Sequence, residues 1–240
     1  MDEKTIFIAQ DSPALIEAAV ELNRNGISFC GSMEEADILL YSVPTPAFLR
    51  DDIPSGPFII GGNLDFLDPK IQHLDLLKDP LYLAQNARIT AEAALGLILP
   101  KLESDFTHCE ILILGWGRIG KCLDQIFRHL GFPVSVYARK PEDRAMLSAL
   151  GYTAVTLNDM VRNLGNYHCI INTAPATILN ESEMAAASPS CIWVDLASVQ
   201  GIPGSGVIHA RGLPGVYKPK ASGKLIAHTI LRHWEEVVNP

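Results

Sequence analysis

Residues Ile111 to Leu130 read ILILGWGRIGKCLDQIFRHL, and this segment is the most informative about the fold. Four consecutive apolar residues predict a buried strand, and the residues after the last glycine predict a helix. Between them, Gly115, Gly117 and Gly120 form the pattern Gly-x-Gly-x-x-Gly. In a dinucleotide-binding turn the first glycine permits the tight turn, the second lets the pyrophosphate approach the backbone, and the third lets helix and strand pack closely.

The glycine pattern therefore predicts that a nicotinamide dinucleotide binds here, with its phosphates at the N-terminus of the helix. The alternative is a glycine-rich turn without a ligand. The candidate cofactor-binding residues of the turn are Gly115, Trp116, Gly117, Arg118, Ile119 and Gly120.

The next predicted strand, residues 134–137, is followed by Ala138, Arg139 and Lys140, which are further candidates for cofactor contact. NAD enzymes usually carry Asp or Glu here, because a carboxylate accepts hydrogen bonds from the ribose 2′-hydroxyl. This chain has two cations instead, and guanidinium and ammonium groups suit a 2′-phosphate. The sequence therefore favours NADP over NAD. The alternative is that Arg139 is only a solvated loop charge.

Apolar strands alternate with helical segments along the chain, a pattern typical of parallel sheets covered by helices on both faces. We predict strands at 5–9, 27–30, 36–43, 58–60, 81–83, 111–114, 134–137, 169–172 and 192–196, and helices at 13–23, 89–102 and 222–237. The predicted fold is α/β, with two Rossmann-like parallel-sheet domains bridged by two long helices. The N-terminal α/β domain would comprise residues 1–104, completed by a C-terminal helix at 222–240, and the dinucleotide-binding domain residues 105–221.

Polar residues follow two strands of the second domain and should lie at the carboxyl edge of its sheet, where the nicotinamide would lie. The candidate cofactor contacts here are Asn172, Thr173, Ala174, Pro175 and Leu196. Asp195 and Ser198 are candidate catalytic residues, although a buried structural Asp bonded to nearby backbone N–H groups is an equal alternative for Asp195. His209 could carry a proton, but a lone histidine is more often a hydrogen-bonded structural residue.

The composition excludes several classes of function. The formal net charge is -8, whereas sequence-independent nucleic-acid binding needs a basic surface. No apolar run is long enough to span a bilayer, and the first residues lack the pattern of a signal peptide. The five cysteines form no Cys-x-x-Cys pair and the histidines show no metal-ligand spacing, so no disulfide framework and no metal site are predicted. We expect a reduced, cytoplasmic protein.

Taken in order, the motifs of residues 80–235 resemble those of the dipicolinate synthase A subunit family. Each motif alone is common among dehydrogenases, but their order and spacing together are specific. The matching residues are Asn86, Thr90 and Glu92; Gly115 to Gly120; Ala138-Arg139; Asn172 to Pro175; Asp195 to Ser198; Leu213-Pro214-Gly215; and Pro219-Lys220. Two departures stand out: Val199-Gln200-Gly201 replaces the usual Pro-Gly-Gly turn, and the N-terminal domain is shorter than usual.

The resemblance implies an enzyme of spore-forming Firmicutes that acts in the mother cell during sporulation. It would oxidise a cyclic 4-hydroxy-tetrahydrodipicolinate to dipicolinate with NADP. A flavoprotein-like B subunit would be its partner, and the sequence is also compatible with a homo-oligomer.

A substrate of this type carries two carboxylates, which an acidic protein must hold with local positive charge and backbone donors. Lys220 matches the family's Pro-Lys position, and we predict that it binds a substrate carboxylate and belongs to the catalytic site. Asn86, Thr90 and Ser222 are its expected hydrogen-bonding neighbours, with free N–H groups at 221–223 if the last helix begins near Ser222. The alternative is that Lys220 is a solvated residue at a helix start.

Two other functions remain open. The first is a 2-hydroxy-acid or amino-acid dehydrogenase built on the same two-domain plan, whose usual His–Glu or His–Asp pair with an Arg we cannot place in this sequence. The second is a non-catalytic regulatory protein that binds the dinucleotide and turns nothing over. An assay for NADPH formation with each class of substrate separates them.

Overall fold

The computed structural model describes residues 4–239, without the side chains of residues 47 and 50. The first three residues and Pro240, which the predicted N-terminal domain includes, lie outside the described residues. The chain divides into two compact units: the residues up to Ile89 together with those from Gly212 onward, and Thr90–Arg211. The boundaries at 104/105 and 221/222 stay predictions from the sequence.

Within residues 4–239 the chain forms eleven β-strands and nine α-helices. The strands are β1 Thr5–Ile8, β2 Ser28–Phe29, β3 Ile38–Leu40, β4 Phe58–Gly61, β5 His73–Asp75, β6 Ile111–Leu114, β7 Val134–Tyr137, β8 Thr153–Val155, β9 Cys169–Asn172, β10 Ile192–Asp195 and β11 Val207–His209. The helices are α1 Pro13–Arg24, α2 Pro80–Ile98, α3 Arg118–His129, α4 Pro141–Ala149, α5 Leu157–Arg162, α6 Glu181–Met184, α7 Leu213–Tyr217, α8 Pro219–Arg232 and α9 Trp234–Val238.

The first unit is built on a five-stranded parallel sheet with the order β2-β1-β3-β4-β5. Its strands are apolar because both faces are covered, as parallel sheets require. Helices α1 and α8 pack against each other beside this sheet. Gly223 of α8 makes the close approach possible, since a Cβ there would lie 2.5 Å from the carbonyl oxygen of Ala14 and 2.6 Å from Glu17 Cβ.

The second unit contains a six-stranded parallel sheet with the order β11-β10-β9-β6-β7-β8. The chain lays down β6, β7 and β8 to one side and then crosses to β9, β10 and β11 on the other. This is the Rossmann strand order, whose ligand crevice lies where the order reverses, here between β6 and β9. The predicted fold class, α/β with two Rossmann-like parallel sheets, is confirmed.

Neighbouring strands of this sheet end in register at its carboxyl edge. Leu114 lies opposite both Tyr137 and Asn172. Asn172 in turn lies opposite Asp195, and Asp195 opposite His209. Asn172, Asp195 and His209, which the sequence analysis named at the ends of separate segments, therefore lie in one row along this edge.

The predicted strand at 81–83 is wrong, because these residues lie in the first turn of α2. Asp79 explains the difference, since its carboxylate accepts hydrogen bonds from the N–H groups of Leu81 at 2.7 Å and Tyr82 at 2.9 Å and so starts a helix. Three apolar residues alone do not distinguish a strand from a helix.

Other bounds also differ from the predictions. The helix expected at 89–102 begins at Pro80 and ends at Ile98, and a 3-10 turn follows. The helix expected at 222–237 begins at Pro219 and is split into α8 and α9. Strands β5, β8 and β11 were not predicted, and each has only three residues. Among the described helices, none is both long and apolar enough to cross a bilayer.

Candidate dinucleotide site

The turn after β6 is shaped by Gly115 and Gly120. Gly115 has φ +111°, a conformation that L side chains rarely adopt, and a Cβ there would lie 2.6 Å from Thr173 Oγ1. A Cβ on Gly120 would collide with the carbonyl oxygen of Gly115 and lie 3.3 Å from the same Thr173 oxygen. The protein itself therefore requires these two glycines, one for the turn and one for the contact of α3 with the turn.

Gly117 differs from both. Apart from its two neighbours in the chain, no described residue has an atom within 4 Å of the position that its Cβ would take. Its backbone has φ -80° and ψ -169°, an extended conformation open to any residue. Nothing in the described structure demands glycine here, so the open space above Gly117 fits the approach of a pyrophosphate.

Helix α3 begins at Arg118 directly after this space, with Gly117 at its N-cap and no side chain capping it. The first N–H groups of a helix have no partner within it, and the helix dipole places partial positive charge there. Lys121 N–H makes the first backbone hydrogen bond, to the carbonyl of Gly117 at 3.0 Å. An anion at this end would thus find backbone donors and a favourable field.

Trp116, the second residue of the turn, is half-buried. Its indole meets the ring of Tyr152 edge-on, with centroids 6.0 Å apart, and Lys121 Nζ lies 5.7 Å from its ring centroid. Arg118 is exposed and Ile119 half-buried at the same helix start.

Arg139 and Lys140 are both exposed where β7 ends, while Ala138 is buried. Arg144, one turn into α4, donates from Nη1 to the carbonyls of Ala138 at 2.7 Å and Arg139 at 2.8 Å. This guanidinium fixes the backbone that carries the two exposed cations. Sequence reasoning missed Arg144, because nothing in a local pattern marks a side chain that folds back onto the preceding loop.

Asn172 is fully buried, and its side chain forms hydrogen bonds within the turn that follows β9. Its Nδ2 donates to the carbonyl of Ala174 at 3.0 Å and to Asp195 Oδ1 at 2.9 Å, and its Oδ1 accepts from Ala174 N–H at 3.1 Å. Thr173 Oγ1 donates to the carbonyl of Leu114 at 3.1 Å. The side chains of Asn172 and Thr173 therefore shape the edge of the crevice, and Pro175 lies exposed on it.

Asp195 is 2% exposed and holds the loop that follows β10. Four N–H donors surround its carboxylate: Asn172 Nδ2 at 2.9 Å, Ala197 N at 3.1 Å, Gly201 N at 2.7 Å and Ile202 N at 3.1 Å. Of the two alternatives for Asp195, these contacts favour the structural one. Leu196 is buried behind it and Ser198 is exposed.

Lys220 is exposed in the first turn of α8. Because this helix begins at Pro219, the expectation of a free N–H on Ser222 is wrong: that group donates to the carbonyl of Lys218 at 2.9 Å. Ser222 is also buried, at 5% exposure. The N–H groups left without a helical acceptor are those of Lys220 and Ala221.

Asn86 and Thr90 lie one turn apart on one face of α2. Since that helix begins at Pro80, they occupy its interior and not its start. Thr90 is buried and Asn86 half-buried.

Residues 99–199 match the NAD-binding domain of the D-isomer specific 2-hydroxyacid dehydrogenases. The chain is also 26% identical over 160 residues to the A subunit of dipicolinate synthase from Bacillus subtilis (strain 168), an alignment that covers 63% of this chain and 54% of that protein. It thus matches about half the length of this curated relative.

Two solved structures share the fold over nearly the whole chain. The dipicolinate synthase A chain of Bacillus subtilis superimposes with a TM-score of 0.79 at 19% identity, covering 99% of this chain and 98% of that one. The dipicolinate synthase A subunit from Bacillus halodurans gives 0.81 at 18% identity, covering 99% of both. The resemblance to the dipicolinate synthase A subunit is confirmed, and the domain match supports a dinucleotide-dependent oxidoreductase with a nicotinamide cofactor.

Proposed function

We propose that the chain is an NADP-dependent oxidoreductase of the dipicolinate synthase A type, which oxidises a cyclic 4-hydroxy-tetrahydrodipicolinate to dipicolinate. The observation that carries the proposal is the open space above Gly117, between two glycines that the protein needs for its own packing. The similarity to the Bacillus subtilis protein supports this substrate class.

Each part of the site has a role in this proposal. The backbone from Gly115 to Gly120 binds the pyrophosphate, and Ala174 and Pro175 border the nicotinamide half of the crevice. The bound dinucleotide supplies a hydride acceptor. Asn172 and Asp195 keep the crevice edge in place through their mutual hydrogen bond.

Arg139 and Lys140 give the preference for NADP, since both cations are exposed at the end of β7 and no carboxylate takes the ribose position between Tyr137 and Lys140. Arg139→Ala should weaken NADP binding by about 1.5–3 kcal/mol, the worth of a charge-assisted contact, and leave NAD binding nearly unchanged. Isothermal calorimetry with both dinucleotides measures the difference. Arg162→Ala, the same change at an exposed site of the same unit, is the control. Equal losses for NADP and NAD, or no loss, would contradict the NADP assignment.

Lys220 anchors a carboxylate of the substrate, with help from the N–H groups of Lys220 and Ala221 at the start of α8 and with Lys218 nearby. Asn86 and Thr90 are further candidates for substrate contact. The support is the exposed ammonium beside a helix N-terminus, together with the match of Pro219-Lys220 to the family motif.

Lys220→Met keeps the length of the side chain and removes its charge. We expect kcat/KM for the cyclic dicarboxylate to fall at least tenfold, or roughly 1.4 kcal/mol, with little change in the KM for NADP. Steady-state kinetics measure both constants, and Lys70→Met, at an exposed site of the same unit, is the control. Unchanged kinetics would exclude Lys220 as the anchor and leave it a solvated residue.

The name of the relative, one of the subunits of a synthase, implies a complex. The chain would work with a flavoprotein-like B subunit in the mother cell of a sporulating bacterium. Co-elution of the two purified proteins in gel filtration, together with faster dipicolinate formation in their mixture, tests this pairing.

The match of residues 99–199 favours one alternative, a dehydrogenase of 2-hydroxy acids. NADPH formation, followed by absorbance, separates the cases. Turnover of the cyclic dicarboxylate supports the proposal, and turnover of a simple 2-hydroxy acid or an amino acid supports the alternative. Binding of NADP without turnover of any of them would indicate a regulatory protein.

A further inference from the structure

His209 lies beside Asp195 at the carboxyl edge of the second sheet. The two residues are direct partners in the register of β10 and β11, and His209 Nδ1 is 3.9 Å from Asp195 Oδ2. The opposite ring nitrogen, Nε2, is 3.5 Å from Gln200 Nε2. The imidazole therefore lies between a carboxylate and an amide, at the edge where the nicotinamide half of a Rossmann site lies.

The two partners of the ring favour one tautomer. Asp195 is an acceptor towards all its other partners, so a proton belongs on the nitrogen that faces it, Nδ1. The amide nitrogen of Gln200 is a donor and also donates to the carbonyl of Ile202 at 3.2 Å, so Nε2 should accept. A neutral His209 thus presents a basic nitrogen on the side away from Asp195.

The two members of the pair differ in their access to water. Asp195 is 2% exposed and fixed by four N–H donors, whereas the His209 side chain is 38% exposed. A fixed carboxylate orients the ring and stabilises the imidazolium when it forms, and the exposed face lets a proton leave to solvent.

We infer that His209 is the catalytic proton carrier of the oxidation and that Asp195 is its positioning residue. The inference rests on the proposed function and adds to it the residue that takes the proton. Conversion of the cyclic 4-hydroxy compound to dipicolinate removes one water and two hydrogens. The 4-hydroxyl group leaves as water together with a hydrogen of a neighbouring ring carbon, without a change of oxidation state. The oxidised dinucleotide, when bound, would accept as hydride the hydrogen and electron pair of the substrate C–H bond that breaks in the oxidation. A second bond to hydrogen breaks, its electrons stay on the substrate as part of the new double bond, and the proton goes to His209 Nε2. His209 then returns the proton to water.

The first test does not depend on turnover. Nitrogen-15 spectra of the histidine-labelled full chain contain seven histidines, and His209→Gln identifies the resonances of His209. We expect the neutral ring to carry its proton on Nδ1, and NADP to shift its Nε2 signal while that of His129, at the other end of α3, stays in place. A ring protonated on Nε2, or one that NADP leaves unshifted, would overturn the inference.

The second test is kinetic. His209→Gln keeps a polar side chain but removes the imidazole, and it should lower kcat for the cyclic dicarboxylate by about 100-fold or more while leaving the affinity for NADP unchanged. His129→Gln is the matched control and should behave as wild type. A His209→Gln enzyme with kcat within about threefold of wild type overturns the inference while the proposed function stands. If the wild type turns over no cyclic dicarboxylate, the proposed function fails and the inference fails with it, whereas failure of the inference alone shows as near wild-type turnover by His209→Gln.

Discussion

Gly117→Val is expected to abolish NADP binding and to leave the protein folded. The Cβ of the valine would lie more than 4 Å from every atom of the described residues other than its two chain neighbours, so the free protein accommodates it. The same side chain would occupy the volume through which a pyrophosphate reaches the backbone. Gly117 is the N-cap of α3 and makes no side-chain capping hydrogen bond that the substitution could remove. Valine is nevertheless a less favourable N-cap residue than glycine, so the free energy of unfolding should fall by about 1 kcal/mol at most.

Calorimetric titration with NADP and urea unfolding measure the two effects separately. Gly206→Val is the matched control, because a Cβ at Gly206 also meets no atom within 4 Å but lies in the loop before β11. This variant should bind NADP as wild type does. A folded Gly117→Val protein with wild-type affinity would mean that the phosphates bind elsewhere.

Gly120→Val is expected to have the opposite effect, a loss of stability even without ligand. The added Cβ would overlap the carbonyl oxygen of Gly115, a backbone atom, and two further atoms lie within 3.3 Å. Gly115 cannot move freely, since its N–H donates to the carbonyl of Tyr137 at 2.9 Å. Forcing extra atoms into such packing typically costs about 1–3 kcal/mol, and because backbone must shift here we expect about 3 kcal/mol or more.

Urea unfolding followed by circular dichroism measures this loss. Gly117→Ala, three residues earlier in the same turn, is the control and should unfold at a urea concentration close to that of wild type. A Gly120→Val protein as stable as Gly117→Ala would show that the turn relaxes to admit a side chain at position 120, contrary to the packing argument.

Local sequence patterns predicted the parts of the fold that local forces determine. The run from Ile111 to Leu114, the glycines after it and the apolar strand ending at Tyr137 each act through neighbouring residues, and each is found where it was expected. The run at 81–83 failed because a single capping carboxylate, Asp79, outweighs the strand preference of three apolar residues.

The site was harder to predict than the fold, because its contacts join residues from different strands. The sequence placed Asn172 and Asp195 at one edge, but not the hydrogen bond between them. It did not identify Gly201 and Ile202 as donors to Asp195, or the pairing of Asp195 with His209, since that pairing depends on the register of β11, a strand of three residues. The hydrophobic pattern of a strand specifies its register, and a strand of three residues is too short to carry much of that pattern.

The packing of α1 against α8 bears on how the chain folds while it is being synthesised. The first unit is discontinuous, because α1 and α8 come from opposite ends of the described chain. The second unit is one continuous segment. On the ribosome α1 emerges roughly 200 residues before its partner, so the first unit must wait for almost the whole chain, and its slow, long-range contacts form last. The continuous nucleotide-binding unit has all its strands earlier and should be protected from proteases in nascent chains that still lack α8. Stalled translation would therefore release incomplete chains in which the glycine turn can already bind the dinucleotide and the apolar face of α1 is still exposed.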